Sequence, residues 1–228
     1  SANTLTVLNA ETITGGAAAD TVTLDSEMTT GVVDLAAGND TLSLADAANS
    51  VTVTNVETLT GGDSADTVTL GAAQASGQID LGGGDDTLNL HSGGATATVK
   101  NVESITGAAG ADSITIGSAA NGVYDLAGGS DILTVLAGGT LTATNIESIV
   151  GSASNDLVTL GSQFTGGTID LKAGNDTLTL GEFTNTVTIT NVETVTGGAS
   201  GDTVTLASAM TAGRIDLGGG NDTLTLSA

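Results

Sequence analysis

The sequence predicts an all-β chain wound as a right-handed parallel β-solenoid of the β-roll or β-helix kind, and three observations carry that expectation. A unit of about 46 residues recurs five times. Asn-x-Glu begins at Asn9, Asn55, Asn101, Asn145 and Asn191, and an apolar-Asp-Leu phrase places Asp34, Asp80, Asp125, Asp170 and Asp216 at matching intervals. Such self-similarity is the signature of a repeat architecture. Apolar and hydroxyl residues alternate with period two in stretches such as "DTVTL" (66–70), as strands with one dry and one wet face require. Glycine is plentiful and proline, cysteine and tryptophan are absent, a composition suited to a thin aliphatic core with tight corners.

Each strand is led by an aspartate: Asp20, Asp40, Asp66, Asp86, Asp112, Asp131, Asp156, Asp176, Asp202 and Asp222. The two inward positions behind each are aliphatic without exception, from Val22 and Leu24 to Leu224 and Leu226. The outward positions are Thr or Ser except at Asn89, Ile132 and Leu157. β-branched threonine suits the exposed side of a sheet. A helical reading fails, because the period is two and glycine clusters interrupt it. A second strand per turn comes from "QIDL" (78–81) or "VESIT" (102–106), with "VTVTN" (51–55) as an extra bulge or third side. The expectation is one domain over 1–228 with repeats at about 1–46, 47–92, 93–136, 137–182 and 183–228, ten rungs and no caps. Ten rungs would span roughly 48 Å.

The charge balance excludes several partners. Three basic residues face 26 acidic ones, a formal charge of -23, so nucleic acid and anionic membrane are not expected to bind. No apolar run is long enough for a transmembrane helix. The acids are aligned rather than scattered, with twenty of them in repeat columns. Carboxylates one rung apart repel by ~3–4 kcal/mol at an effective dielectric near 20. Three cations cannot neutralise such a column, whereas Ca²⁺, which gathers about six to eight oxygens, can.

At these corners the sequence resembles the RTX, or haemolysin-type, calcium-binding repeats of large secreted bacterial proteins. Their nonapeptide is Gly-Gly-x-Gly-x-Asp-x-apolar-x. "LGGGDDTLN" (81–89) and "LGGGNDTLT" (217–225) match it except at the first glycine. "GGAAADTVT" (15–23), "GGDSADTVT" (61–69) and "GGASGDTVT" (197–205) lack the fourth-position glycine, and "LAAGNDTLS" (35–43) and "LKAGNDTLT" (171–179) keep only Gly38 or Gly174 before the aspartate. The resemblance implies several calcium ions along one edge, held between turns by the ten strand-leading aspartates and by carbonyls near Gly82, Gly84, Gly218 and Gly220. Asp34, Asp80, Asp125, Asp170 and Asp216 are secondary candidates. A turn held only by Asx hydrogen bonds is the alternative at the same residues.

Catalysis is not expected. His91 is the only histidine and there is no cysteine to join it in a zinc site. Carboxylate pairs recur on every rung, so none is singled out. Two outward features remain: Thr-x-Thr rows resembling the ice-binding face of some β-solenoid antifreeze proteins, and Ile132 with Leu157 as a small lateral patch. Neither terminal rung looks like a cap, and the end continues the repeat into the beginning in register. The chain is then either a segment of a longer array or a subunit that stacks on copies of itself. The function expected from all this is a secreted, calcium-stabilised structural rod at the cell surface, in a fibre, matrix filament, S-layer-like coat or adhesin stalk. An ice-binding solenoid is the alternative.

Overall fold

A computed structural model describes residues 1–227. Among them there is no helix, and the strands stack in parallel as a β-solenoid of about 12 turns. Two compact units divide the chain, Ser1–Ile114 and Thr115–Ala228.

In the first unit two stacks of strands face each other across the core. One runs in register through Thr4, Thr21, Thr41, Thr58, Gln78 and Thr98. The other runs through Thr12, Val32, Thr52, Thr69, Asn89 and Thr106. One turn therefore costs 17 or 20 residues. The second unit repeats the arrangement, with one stack through Ile132, Ser148, Thr168, Thr188, Thr205 and Thr225. Its other stack runs through Leu141, Val158, Leu178, Val195 and Ile215.

This register corrects the expected count of ten rungs. The repeat from Thr21 holds five strands, Thr21–Leu24, Gly31–Asp34, Thr41–Ser43, Ser50–Thr54 and Thr58–Thr60, before the next begins at Thr67, and five strands likewise run from Thr67 to Ala108 and from Asp156 to Thr196. "VTVTN" is no bulge: Ser50–Thr54 lies between Gly31–Asp34 and Thr67–Leu70 as a full rung. Five strands at two per turn make two and a half turns. Successive repeats consequently start on opposite sheets, and the 26-residue step from Asp40 to Asp66 is one turn plus a half.

The core is the aliphatic stripe the alternation foretells. Of the twenty inward positions behind the aspartates, all but Leu224 and Leu226 are buried. The strand missing from the sequence reading contributes too, through Val51, Val53, Ala97, Val99, Leu141, Ala143, Val187 and Ile189. Each buried Val, Leu or Ile is worth roughly 1.5–3 kcal/mol. Since every turn contacts only its neighbours, stability is the sum of many similar interfaces.

Candidate functional site

The residue entering each strand has a backbone N–H that lies ahead of the ladder and needs an acceptor. The strand-leading aspartate of the following turn supplies it. In the first unit Asn3 N–H donates to Asp20 Oδ1 (2.7 Å), Asp20 N–H to Asp40 Oδ1 (2.6 Å) and Asp40 N–H to Glu57 Oε2 (2.8 Å). On the opposite side Asn49 N–H donates to Asp66 Oδ1 (2.8 Å), Asp66 N–H to Asp86 Oδ1 (2.6 Å) and Asp86 N–H to Glu103 Oε2 (2.9 Å). Ala95 N–H similarly reaches Asp112 Oδ1. The second unit has the same chains through Asp131 and Glu147, through Asp156, Asp176 and Glu193, and through Asn185, Asp202 and Asp222. Nine of the ten aspartates are between 0 and 2% exposed; Asp222 alone is exposed.

The acids are thus not one column along one edge. Within each unit they come in pairs on alternate sides, Asp20 and Asp40 opposite Asp66 and Asp86, and Asp156 and Asp176 opposite Asp202 and Asp222, because the repeat has an odd number of strands. The glutamate of Asn-x-Glu ends four of these ladders, at Glu57, Glu103, Glu147 and Glu193.

The second set of aspartates builds a separate joint. Asp34 Oδ1 accepts the N–H of Ala36 (3.0 Å), an Asx turn, and also the Nδ2–H of Asn55 one turn later (2.8 Å). Asn101 donates likewise to Asp80, Asn145 to Asp125 and Asn191 to Asp170. All five asparagines of this phrase sit in the left-handed region, with φ of 51 to 54°, where asparagine is tolerated best after glycine. The residue two beyond the aspartate also has positive φ: Ala36, Gly82, Ala127, Lys172 and Gly218. Gly82 and Gly218 therefore meet a backbone requirement, and a Cβ on either would collide with the carbonyl oxygen of Gly62 or Gly198 on the preceding turn. Lys172 and Arg214 pair with Asp170 and Asp216 at the surface.

Burial and donor count set the charge states. Desolvation pushes the Asp86 carboxyl up to about 6, against the hydrogen bond from Asp66 N–H and with help from the negative charges of Asp66, Glu103 and Asp85. Desolvation also raises Asp156 and Asp176. Asp20 goes the other way, held down by the N–H groups of Gly16 and Asn3. On Asp40, Asp66, Asp86, Asp176 and Asp202 the Oδ2 atom, and on Asp156 the Oδ1 atom, is buried with no hydrogen-bond partner.

These oxygens test the calcium expectation. Ca²⁺ takes about six to eight oxygens, yet among the described residues no three Asp, Glu or His side chains converge where one ion could reach them. Ladder oxygens already accept inter-turn N–H groups. The carbonyls of Gly62 and Gly198, beside Gly82 and Gly218, accept Gly83 and Gly219 N–H at 2.8 Å each. Gly84 and Gly220 lie against the backbone of the preceding corner, where a Cβ would strike Ala65 or Gly201. Each of the six aspartates named above keeps one buried oxygen outside these hydrogen bonds.

Sequence reasoning missed the ladder heads. Asn49 and Asn185 are fully buried, and each Oδ1 accepts an N–H from the turn before, from Met28 and Phe164. Each Nδ2 donates to its own corner, to Ala45 and Ala47 carbonyls or to Leu180 and Phe183 carbonyls, and to the next aspartate. The available signal was an asparagine 17 residues before Asp20, Asp66 and Asp202, replaced by Ala95 and Gly139 in the other repeats.

The outward features also have places. Thr4/Thr6, Thr21/Thr23, Thr41/Ser43 and Thr58/Thr60 form two hydroxyl rows over four successive rungs, closed by Gln78 and Asp80. Ile132 and Leu157 lie in opposite stacks of the second unit and form no common patch. His91 accepts the Gly93 N–H on Nδ1 in a local turn (3.0 Å). Comparison with protein-family models, curated proteins and solved structures returned no match.

Proposed function

We propose that the chain is a structural element, a segment or subunit of an extracellular fibre, matrix filament, coat or adhesin stalk. The observation that carries this reading is how the acids are employed. The ladder aspartates spend a carboxylate oxygen on the backbone of the adjoining turn, and the second aspartates spend theirs on an asparagine one turn on. Side chains committed to holding turns together belong to a scaffold rather than to a reaction centre. The corner motifs resembling RTX repeats, and a surface with almost no cations, support placement outside the cell.

Immunogold labelling of intact source cells with an antibody to the chain tests this. Label on an external filament or coat is expected; label confined to the cell interior defeats it. The ice-binding reading retains one favourable observation, the two hydroxyl rows on four rungs of the first unit. That reading requires thermal hysteresis in a nanolitre freezing assay.

A further inference from the structure

We propose that the open strand edge of the second unit receives the open edge of the first unit of another copy, so that chains join head to tail in one fixed register. The inference rests on the structural reading above and deepens it. The two fail separately. Label inside the cell defeats that reading whatever the copies do, and copies that stay single in solution defeat this one wherever the label falls.

Four strands have a neighbour on one side only among the described residues. Thr4–Val7 pairs with Thr21–Leu24, and Thr12–Thr14 with Gly31–Asp34. Arg214–Asp216 pairs with Thr194–Thr196, and Thr223–Thr225 with Thr203–Leu206. The repeat decides which edge fits which. Arg214–Asp216 and Thr223–Thr225 are the counterparts of Gly31–Asp34 and Thr41–Ser43, while Thr4–Val7 and Thr12–Thr14 are the counterparts of Ser50–Thr54 and Thr58–Thr60. Inside the chain the first two are covered by the second two. The same register sets Gly213 opposite Leu5 of the next copy, Ile215 opposite its Val7 and Leu224 opposite its Ile13.

Three series of hydrogen bonds are each one member short at this junction. Asn55, Asn101, Asn145 and Asn191 donate to the aspartate of the turn before, which leaves Asn9 without its aspartate and Asp216 without its asparagine. Glu57, Glu103, Glu147 and Glu193 accept the N–H of Asp40, Asp86, Asp131 and Asp176, which leaves Glu11 and the Asp222 N–H. Asn49 and Asn185 accept the N–H of Met28 and Phe164, which leaves Asn3 Oδ1 and the Met210 N–H. Asn3 is already held as Asn49 is, its Nδ2 donating to the Ser1 carbonyl and to Asp20. Stacked in register, the three donors of one kind of edge and edge partner meet the three acceptors.

The apolar surface is unfinished at the same places. Leu5, Leu224 and Leu226 are between 41 and 67% exposed, whereas their counterparts Val51, Leu42 and Leu44 are buried. Beside Arg214–Asp216 an open hollow of about 360 Å³ is lined by Leu206, Ala209, Met210, Gly213, Ile215 and Leu226. The corresponding floor of Leu24, Met28, Val33 and Leu44 is buried, with Val51 and Val53 on the following rung. Leu5 and Val7 of a second copy fill the hollow in the same way. An apolar hollow edged by unpaired backbone is a template for another strand. The contact uses a different edge on each partner, so every copy added leaves a fresh edge for the next. Each copy carries a formal charge of -23, so salt that screens this charge favours joining.

The experiment is sedimentation velocity on the intact chain, from micromolar to millimolar concentration in about 0.5 M NaCl. Growth in whole multiples of the single-chain mass is expected. Asn3 and Val7 turn their carbonyls to Thr21 and Asp25, so the N–H of Thr6 faces the open edge. Thr6→Pro should therefore keep the far-UV circular dichroism of the chain and abolish growth. Its other edge still binds, so a small amount of it should shorten assemblies of the unaltered chain. A single-chain mass at every concentration overturns the proposal, as does growth that Thr6→Pro leaves unchanged. If that variant does not fold, register decides. The chain has no cysteine, and Thr14→Cys combined with Thr225→Cys should give a ladder of disulfide-linked multimers on oxidation. No ladder, or an equal ladder from Thr106→Cys combined with Thr225→Cys, rejects it.

Discussion

Asp20 and Asp86 stand in the two opposed ladders of the first unit, Asp20 next to its head asparagine and Asp86 one rung further from its own, each almost wholly buried, yet their carboxyls are shifted in opposite directions. Asp20 receives three donors on its two oxygens: Asn3 N–H and Nδ2–H at 2.7 Å each, and Gly16 N–H at 3.1 Å. Asp86 receives one, from Asp66, and has Asp85 beside it in the corner. Desolvation outweighs the single hydrogen bond at Asp86 and raises it, whereas at Asp20 the donors to the ionised form outweigh desolvation and lower it.

That contrast can be broken or sharpened by substitution. The largest effect is expected from Asn49→Ala, which strips the Asp66–Asp86 ladder of its head. Met28 N–H loses its acceptor and the Ala45 and Ala47 carbonyls lose their donor. The expected loss is about 1–3 kcal/mol in urea unfolding; a loss near zero would mean the head asparagine only fills space. Asn3→Ala comes next. It removes one donor from Asp20 and should raise that carboxyl, so acid unfolding sets in about a few tenths of a pH unit higher. The sign is that of a depressed carboxylate, whose stabilisation is present above its unfolded value and lost on acidification. The smallest effect is reserved for the corners. Ala36→Gly, at φ 67°, relieves left-handed strain and should gain up to about 1 kcal/mol, while Gly82→Ala should lose at least as much.

Much of the fold was legible in the residues themselves. Strict alternation behind the aspartates identified eighteen buried side chains among the twenty inward positions, because a strand buried on one face leaves a period of two whatever its partners. Register was harder. Ser50–Thr54 has no leading aspartate, so it read as an insertion, although its alternation of Val51 and Val53 with Thr52 and Thr54 is as regular as any other. The steps of 20 and 26 residues concealed a half-turn for the same reason. The aligned acids were legible as a series, but the backbone N–H groups that their oxygens accept have no letter in the sequence, and an asparagine stands at the head in only three repeats.

An odd number of strands per repeat carries a consequence for how such a chain can grow. Within a unit, duplicating or deleting one block turns everything downstream to look the opposite way, exchanging front for back while keeping strand stacked on strand. Changes by two blocks restore the facing. A gene lengthening by single copies would therefore flip its displayed surfaces at each event without ever disturbing the fold.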